Sequence, residues 1–254
     1  MASYIEKGLG LLTIAMILAI LEMAVRFGYV NMALTPSPSV VLATTAQIIA
    51  TGSLWAPLAS TLYLLFTAYL LGSLLAIVAG LILGRSEVLH DLFEPLLEFL
   101  RPLPKPALLP PLILFLGLGD PMKLTIVGMG VFFPVLINTI QGVRGTDSIK
   151  LDVARTLGHS RSAALFKVVL PSALPMIFAG LRVSLGLGLI LVVIAEMLAG
   201  TGGVGYLIID MQRSFQVAKM YAWILILAVL GFVLNYLFLK FERKTIPWDL
   251  RISN

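Results

Sequence analysis

The sequence contains no cysteine, only two histidines and only 12% charged residues among its 254 residues. Without cysteine the chain can form neither a disulfide nor a thiolate metal site. The two histidines, His90 and His159, lie far apart beside charged residues, so we expect solvated loop side chains and no metal site. Hydrophobic residues make up 59% of the chain, a composition typical of a membrane protein.

Motifs for nucleotide binding and catalysis are also missing. The sequence holds no GxxxxGK[ST] phosphate-binding loop, no HExxH pair and no GxSxG nucleophile turn. We therefore expect no catalytic residues, no metal and no cofactor on this chain, which is then not an enzyme. The formal net charge of +5 is modest, and we attribute it to membrane topology and not to nucleic-acid binding.

The hydrophobic residues fall into six segments, separated by polar or proline-containing connections. Together they predict one all-α transmembrane domain over 1–254, because a helix of ~20 apolar residues crosses a bilayer. A signal peptide is the competing interpretation of the first segment, but no small-residue cleavage site follows it cleanly. The predicted spans are about 8–26, 57–84, 105–119, 122–141, 171–199 and 221–241.

Small residues recur at every fourth position of the second span, at Gly72, Ala76, Gly80 and Gly84. Residues four apart lie on the same face of a helix. Membrane helices approach each other closely along such stripes, so this face is predicted to pack against another helix.

The longest run of evenly spread charge is 147–175, between the fourth and fifth spans. Asp147 or Ser148 can cap a first helix, and Gly158 can end it in the left-handed conformation. Ser160 can cap a second short helix before the next hydrophobic segment. The pattern predicts a helix, a glycine bend and a helix, which is typical of a docking surface.

This spacing resembles the cytoplasmic signature loop of ABC importer permeases: Glu-Ala-Ala, three residues, Gly, nine residues, Ile, one residue, Leu-Pro. The register is kept without a gap, with aspartate for glutamate and valine for the first alanine. The alternative is a basic amphipathic loop resting on lipid headgroups, which would not need the glycine and Leu-Pro. We expect an ATPase-coupling loop over 142–170. The matching residues are Asp152, Val153, Ala154, Gly158, Val168, Leu170 and Pro171.

Lys and Arg are distributed unevenly between the two sides of the predicted topology. If the signature loop is cytoplasmic, the cytoplasmic side holds 13 of the 18 Lys and Arg residues. Positive charge collects on the cytoplasmic side of membrane proteins, so the charge distribution agrees with the resemblance and predicts two cytoplasmic termini. The exceptions are Arg26, Lys123, Arg213 and Lys219 on the opposite side and Arg182 within a span.

The fifth span contains two charged residues deep in the apolar segment, Arg182 and Glu196. They are about 21 Å apart along an ideal helix and cannot pair within it. They share a stripe with Gly186, Leu189 and Val193, and intramembrane charges are candidates for a translocation path or gate. The alternative is that each side chain snorkels to its own membrane surface.

A glycine-rich turn follows the fifth span, with Gly202, Gly203 and Gly205 close together. It resembles the outer gate region of the same importers, which makes these three glycines gate candidates. The alternative is an ordinary turn, in which glycine is also common.

Further short segments are similar to the nitrate, sulfonate and taurine permease subgroup. With them, the resemblance extends beyond the loop over nearly the whole chain. They are Arg101-Pro102 with Leu108 and Pro110-Pro111, Phe115 to Gly119, Gly180 to Arg182, Ala195 to Met197 and Gly205 to Leu207.

The resemblance implies the six-span transmembrane domain of a type I ABC importer in the bacterial inner membrane, surrounded by lipid. Its expected partners are a second copy of the chain, two cytoplasmic ABC ATPase subunits that hold ATP and Mg, and an extracytoplasmic substrate-binding protein. The expected function is import of a small anion, such as a sulfonate, taurine or nitrate, by alternating access.

Two other functions stay open. The same machinery could carry a neutral heterocycle such as a pyrimidine precursor. An ATP-independent secondary transporter or channel belongs to another class, and it would need coupling-ion carboxylates at mid-membrane. Apart from Glu196, the spans supply few carboxylates.

Overall fold

The structure, a computed structural model, describes the backbone of residues 2–248 and the side chains of residues 12–248. Within that part of the chain the regular secondary structure is helical and no strand occurs. The helices are α1 (Ala2–Arg26), α2 (Pro38–Ala50), α3 (Trp55–Arg85), α4 (Glu87–Leu100), α5 (Leu109–Leu116), α6 (Asp120–Arg144), α7 (Ser148–Thr156), α8 (Arg161–Ala164), α9 (Leu170–Ala199), α10 (Val204–Arg213) and α11 (Val217–Thr245).

Four helical units in the described chain are long and apolar enough to cross a membrane: α3, α6, α11 and the unit Arg161–Ala199 that contains α9. A fifth arises if α4 and the helical segment Lys105–Leu116, bent by 87° at their junction, form one broken span. Helix α1 covers the predicted first span, whose side chains before residue 12 lie outside the described residues, so the count of six stays a prediction.

The predicted third span, about 105–119, contains a short 3₁₀ turn, Lys105–Leu108, followed by the eight-residue α5. Eight residues rise only about 12 Å in an α-helix, which is less than the hydrocarbon thickness of a bilayer. Prolines in the first turn of α5 fit this start, because the first amides of a helix need no intrahelical acceptor. By itself the segment is therefore too short for the predicted third span, and its 87° bend from α4 makes it a corner of the bundle.

Helices α3, α6 and α9 form the centre of the bundle, and the predicted small-residue face of α3 packs on α6. A Cβ on Gly72 would lie 2.9 Å from the carbonyl oxygen of Gly128, and one on Gly80 would lie 2.6 Å from the Thr139 Cβ. Both distances are too short for a side chain, so glycine is required for this approach. The prediction of close helix packing along this stripe is confirmed.

Helices α6 and α9 pack equally closely at the middle of the unit Arg161–Ala199. A Cβ on Gly180 would lie 2.9 Å from the Cβ of Asn138, and one on Gly142 would lie 2.9 Å from the Cβ of Met176. Small residues again bring the two backbones together. The loop end of the bundle is the end where α6 leads into α7, and the glycine end is the end where α9 leads into α10.

The loop between α6 and α9 has the predicted form of helix, glycine bend and helix. The Asp147 carboxylate accepts a hydrogen bond from the Ile149 amide at 2.9 Å and caps α7. Gly158 takes the left-handed conformation, with φ of 73°. The Ser160 hydroxyl accepts a hydrogen bond from the Ala163 amide at 3.2 Å and caps α8.

The structure differs from the prediction after α8, because no break precedes the fifth span. A π-turn, Leu165–Val169, joins α8 to α9, and Arg161–Ala199 is one helical unit of 39 residues. In a regular α-helix the ring of Pro171 would clash with the carbonyl of Lys167. The wider π-turn immediately before Pro171 accommodates the proline without ending the helix.

Candidate functional site

The residues of the predicted coupling motif divide between an exposed and a buried face of α7. Asp152 and Val153 are exposed, and the Asp152 carboxylate pairs with Arg155 at 3.0 Å. Ala154 is only 2% exposed, so the small residue anchors α7 to the bundle. The motif therefore combines an anchor with an accessible surface.

The accessible surface of α7 carries three apolar side chains, Ile149, Val153 and Leu157, which are all more than half exposed. They are spaced four residues apart and therefore share one helix face. A groove of about 590 Å³ beside this face is bordered by Val153 and Pro171. The structure thus brings Val153 and Pro171, which are 18 positions apart in the sequence, to one surface.

Leu170 lies on the inner side of the same loop. It packs against the buried cluster formed by Val143, Val169, Ala173 and Ile177. The Leu-Pro pair of the motif therefore serves two positions, since Leu170 contacts the core and Pro171 borders the groove.

Glu196 lies at the glycine end and is fully buried. Its carboxylate accepts hydrogen bonds from the Thr61 hydroxyl, at 2.8 and 3.0 Å to the two oxygens, and from the Gly205 amide at 2.9 Å. The Thr61 hydroxyl oxygen in turn accepts from the Val204 amide at 2.9 Å. One polar cluster thus connects α3, α9 and the start of α10.

The predicted gate glycines differ in what surrounds them. Gly203 has φ of 94°, and a Cβ on it would overlap the Glu196 carboxylate. A Cβ on Gly205 would overlap the carbonyl of Val193. A Cβ on Gly202 would have no atom within 4 Å. The packing therefore requires glycine at Gly203 and Gly205 but not at Gly202.

A buried cation, Lys123, approaches this cluster from the start of α6. Its side chain is 7% exposed, and its ammonium lies 3.4 Å from the Asp120 carboxylate. It is also near enough to Glu196 for a coulombic interaction. Lys123 thus supplies positive charge beside a buried carboxylate at the end of the bundle opposite the coupling loop.

Arg182 forms an ion pair with Glu242 of α11. The Glu242 side chain is 3% exposed, and that of Arg182 is 39% exposed. Phe178, one turn before Arg182, packs against Phe238 and Phe241 of α11. Together these contacts join α9 to α11.

The predicted stripe on α9 does not form one continuous surface. Val193 and Glu196 are buried, whereas Gly186 is exposed, and a methyl group added to it would have no atom within 4 Å. Arg182 and Glu196 are also held by different partners in different parts of the bundle. A role for these residues in the path stays a prediction, and the structure gives Arg182 and Glu196 defined contacts within the protein.

A cavity of about 520 Å³ lies between α6, α9 and the corner that joins α4 to α5. It is lined by 130–138 of α6 and by 183–194 of α9. Its lining combines two cations, one amide and many apolar side chains. The lining residues are Arg101, Leu103, Lys105, Pro106, Gly130, Phe133, Pro134, Ile137, Asn138, Val183, Leu187, Ile190, Leu191 and Ile194.

The sequence analysis left Arg101 and Lys105 among the cytoplasmic charges and made Arg182 a candidate for the translocation path. The structure places the first two at the cavity, and Arg182 is not among the lining residues. The signal for this corner was the run of prolines from Pro102 to Pro111, because proline ends a helix and redirects the chain.

A bundle of long apolar helices with a side loop of two short helices agrees with the predicted fold, the transmembrane domain of a type I ABC importer. The same fold occurs in a solved structure described as an amino acid ABC transporter with histidines, with a TM-score of 0.62 and 19% identity. The match covers 80% of this chain and 96% of that one. This chain belongs to the family of binding-protein-dependent transport system inner membrane components, whose model matches residues 72–247.

Curated relatives confirm the resemblance to the sulfonate, taurine and nitrate subgroup. The putative aliphatic sulfonates transport permease protein SsuC of Bacillus subtilis is 36% identical over 94% of this chain and 87% of its own length. The taurine transport system permease protein TauC of Escherichia coli is 31% identical over 77% and 71%. The nitrate import permease protein NrtB of Synechocystis is 29% identical over 69% and 64%. The chain is thus a multi-pass permease subunit of the inner membrane.

Proposed function

We propose that this chain is the permease subunit of an ATP-driven importer that moves a small anion inward by alternating access. The anion is of the kind named for its relatives, a sulfonate, taurine or nitrate. The observation that carries the proposal is the exposed face of α7 with the coupling motif in register. This face begins a loop that continues directly into the 39-residue helical unit reaching the glycine end.

The proposed partners follow from the surfaces available. Two cytoplasmic ABC ATPase subunits, which hold ATP and Mg, bind the exposed face of α7 at Val153, with Asp152 at its rim. An extracytoplasmic substrate-binding protein delivers the solute at the glycine end. A second copy of this chain covers the exposed side of α9, and lipid surrounds the remaining apolar surface. The chain itself carries no cofactor.

The proposed orientation puts the loop end and both termini in the cytoplasm. The distribution of Lys and Arg supports this orientation, because the predicted topology places most of these residues at the loop end. Movement of α7 by a closing ATPase dimer then reaches α9 through the π-turn. The glycine end responds because Glu196 binds both Thr61 and Gly205.

Reconstitution tests the proposal. The chain is co-purified with the ATPase and binding protein encoded by neighbouring genes and placed in proteoliposomes. We expect uptake of radiolabelled taurine or an alkyl sulfonate only with ATP and the binding protein. Uptake driven by an ion gradient without ATP would instead identify a secondary transporter. Binding of only uncharged heterocycles by the partner protein would identify a neutral substrate.

A further inference from the structure

We propose that Arg101 and Lys105 form an anion-binding site in the cavity between α6 and α9, and that its ligand is an alkyl sulfonate. This inference rests on the proposed function and narrows its substrate class. It also assigns the attraction of the anion to the corner between α4 and α5, and not to Arg182. Three features of the cavity point to this ligand: its cations, its apolar wall and its position in the bundle.

Lys105 is held in place at the cavity wall. Its ammonium donates to the Leu100 carbonyl at 2.8 Å and lies 3.5 Å from the Arg101 carbonyl. It also lies 4.4 Å from the centroid of the Phe133 ring. An ammonium has three N–H donors, so these two carbonyls leave one for a ligand. The contacts fix the charge without neutralising it, because a carbonyl and a ring carry no net charge.

Arg101 adds a second positive charge at the same wall. Its ion pair with Glu98 is long, at 3.7 Å, and exposed, so it is weak. A guanidinium has five donors, and its planar fork matches the oxygens of a sulfonate as it does those of a phosphate. The lining residues include two cations and no carboxylate, so the described wall carries net positive charge.

The wall formed by α9 is aliphatic. Val183, Leu187 and Ile190 line it from one face of α9, and all three are exposed. Ile137 of α6 completes the apolar side. A ligand that touches both walls must have a charged end and a short apolar part. An alkyl sulfonate has this form, whereas nitrate has no apolar part.

The position of the cavity against the bundle adds to the effect of the two charges. Its lining residues on α6 come from the middle of that helix, and those on α9 come from 183–194. Coulombic attraction is stronger there than in bulk water, because the surroundings have a lower dielectric constant. A volume of about 520 Å³ lies within the range of small-molecule sites.

The absence of cysteine from the chain allows a direct test with the purified permease. Ile137→Cys places a thiol in the cavity, and Met129→Cys places one on the same helix in a groove with no charged lining residue. Each variant is reacted with an anionic and a cationic methanethiosulfonate, bearing a sulfonatoethyl or a trimethylammonioethyl group. The ratio of the two rates is divided by the ratio for a free thiol.

We expect the normalised ratio of the anionic to the cationic labelling rate to be at least about fivefold higher at Ile137→Cys than at Met129→Cys. Adding Arg101→Gln and Lys105→Gln should abolish the preference, and Lys105→Arg should retain it. Excess 1-propanesulfonate should slow labelling of Ile137→Cys more than the same ionic strength of sodium chloride does. Circular dichroism and gel filtration identify variants that do not fold.

Equal ratios at the two positions, or a preference that survives the double substitution, would overturn the anion site. The labelling needs no ATP and no partner protein, so failure of the anion site and failure of the proposed function can be told apart. A preference for the sulfonate reagent without ATP-dependent uptake would contradict the proposed function but support the anion site. Uptake of a sulfonate without the labelling preference would contradict the anion site but support the proposed function.

Discussion

The hydroxyl of Thr61 binds the carboxylate of Glu196 across 135 residues of sequence, inside the bundle and away from solvent. The same hydroxyl oxygen accepts the Val204 amide, so one threonine satisfies groups from α9 and α10. Unpaired polar groups are costly in a buried site, and charged groups more so. The arrangement therefore fixes the position of α10 against α3.

Thr61→Val should destabilise the protein by about 1–3 kcal/mol, because it leaves the carboxylate and the Val204 amide short of a partner. Thr61→Ser should keep most of the stability. Thr44→Val is the control, since the Thr44 hydroxyl bonds only the Val40 carbonyl of its own helix turn. Thermal unfolding in detergent measures the difference. Equal losses for Thr61→Val and Thr44→Val would show that the cluster is not important for stability.

Gly203→Ala should destabilise the glycine end and Gly202→Ala should not. The first substitution adds a methyl group against the Glu196 carboxylate at a residue with positive φ, and the second adds one to open space. We expect a loss of at least about 1 kcal/mol for Gly203→Ala and a change within about 0.5 kcal/mol for Gly202→Ala. Thermal unfolding of the two variants checks the difference. Similar behaviour would mean that the loop does not keep this conformation.

Gly158→Leu should uncouple ATP hydrolysis from transport, since it strains the bend that presents α7. Gly52→Leu is a matched control, because Gly52 has the same φ of 73° and equally open surroundings but lies between α2 and α3. Asp152→Lys should act like Gly158→Leu by reversing a charge on the exposed face. The readout is ATP hydrolysis stimulated by the binding protein in the reconstituted complex. Normal stimulation and uptake in Gly158→Leu and Asp152→Lys would refute the coupling role.

Arg182→Gln should slow uptake of an anion, and a double substitution distinguishes two causes. The single change removes the partner of the buried Glu242 carboxylate, and the loss should be smaller than the about 3–5 kcal/mol of a fully buried pair, because the Arg182 side chain is 39% exposed and screened by solvent. Adding Glu242→Gln removes the unpaired charge and should restore stability. If uptake returns with stability, Arg182 acts by joining α9 to α11. Persistently slow uptake in a stable double variant would support the predicted path role.

Single cysteines test the orientation in whole cells. Thr201→Cys and Ala33→Cys should react with an impermeant thiol reagent from outside, and Ser148→Cys and Ser160→Cys should not. Ala33 is chosen over Ser37, which is only 4% exposed and would react slowly on either side. The four chosen positions are exposed, so their reactivity reports the side of the membrane. Labelling of Ser160→Cys from outside would reverse the topology.

Local signals in the sequence predicted much of this structure. Asp147, Gly158 and Ser160 take the capping and bend positions expected of them, because these positions depend on one or two neighbouring residues. The glycine stripe of α3 was equally readable, since close helix approach leaves a periodic pattern. In each case the physical cause lies within a few turns of the chain.

Contacts between elements that are distant in the sequence could not be predicted from local signals. Glu242 follows an apolar span among basic residues and resembles a solvated charge, yet it pairs with Arg182 sixty positions away. Thr61 carried no signal, because a threonine in an apolar helix is common. Arg101 and Lys105 reach the cavity only through the 87° bend after α4, and the size of a bend is set by tertiary packing.

The single helical unit from Arg161 to Ala199 has a mechanical consequence. It is about 58 Å long at 1.5 Å per residue, and Gly180, which packs closely on Asn138, is its central residue. A stiff rod held at its midpoint is a lever with equal arms. If the unit turns as a rigid rod about this contact, a push on the loop end toward the bundle axis would swing the glycine end outward by the same distance. The contact at Gly180 would then be the fulcrum, and the two ends of the rod could not both move inward.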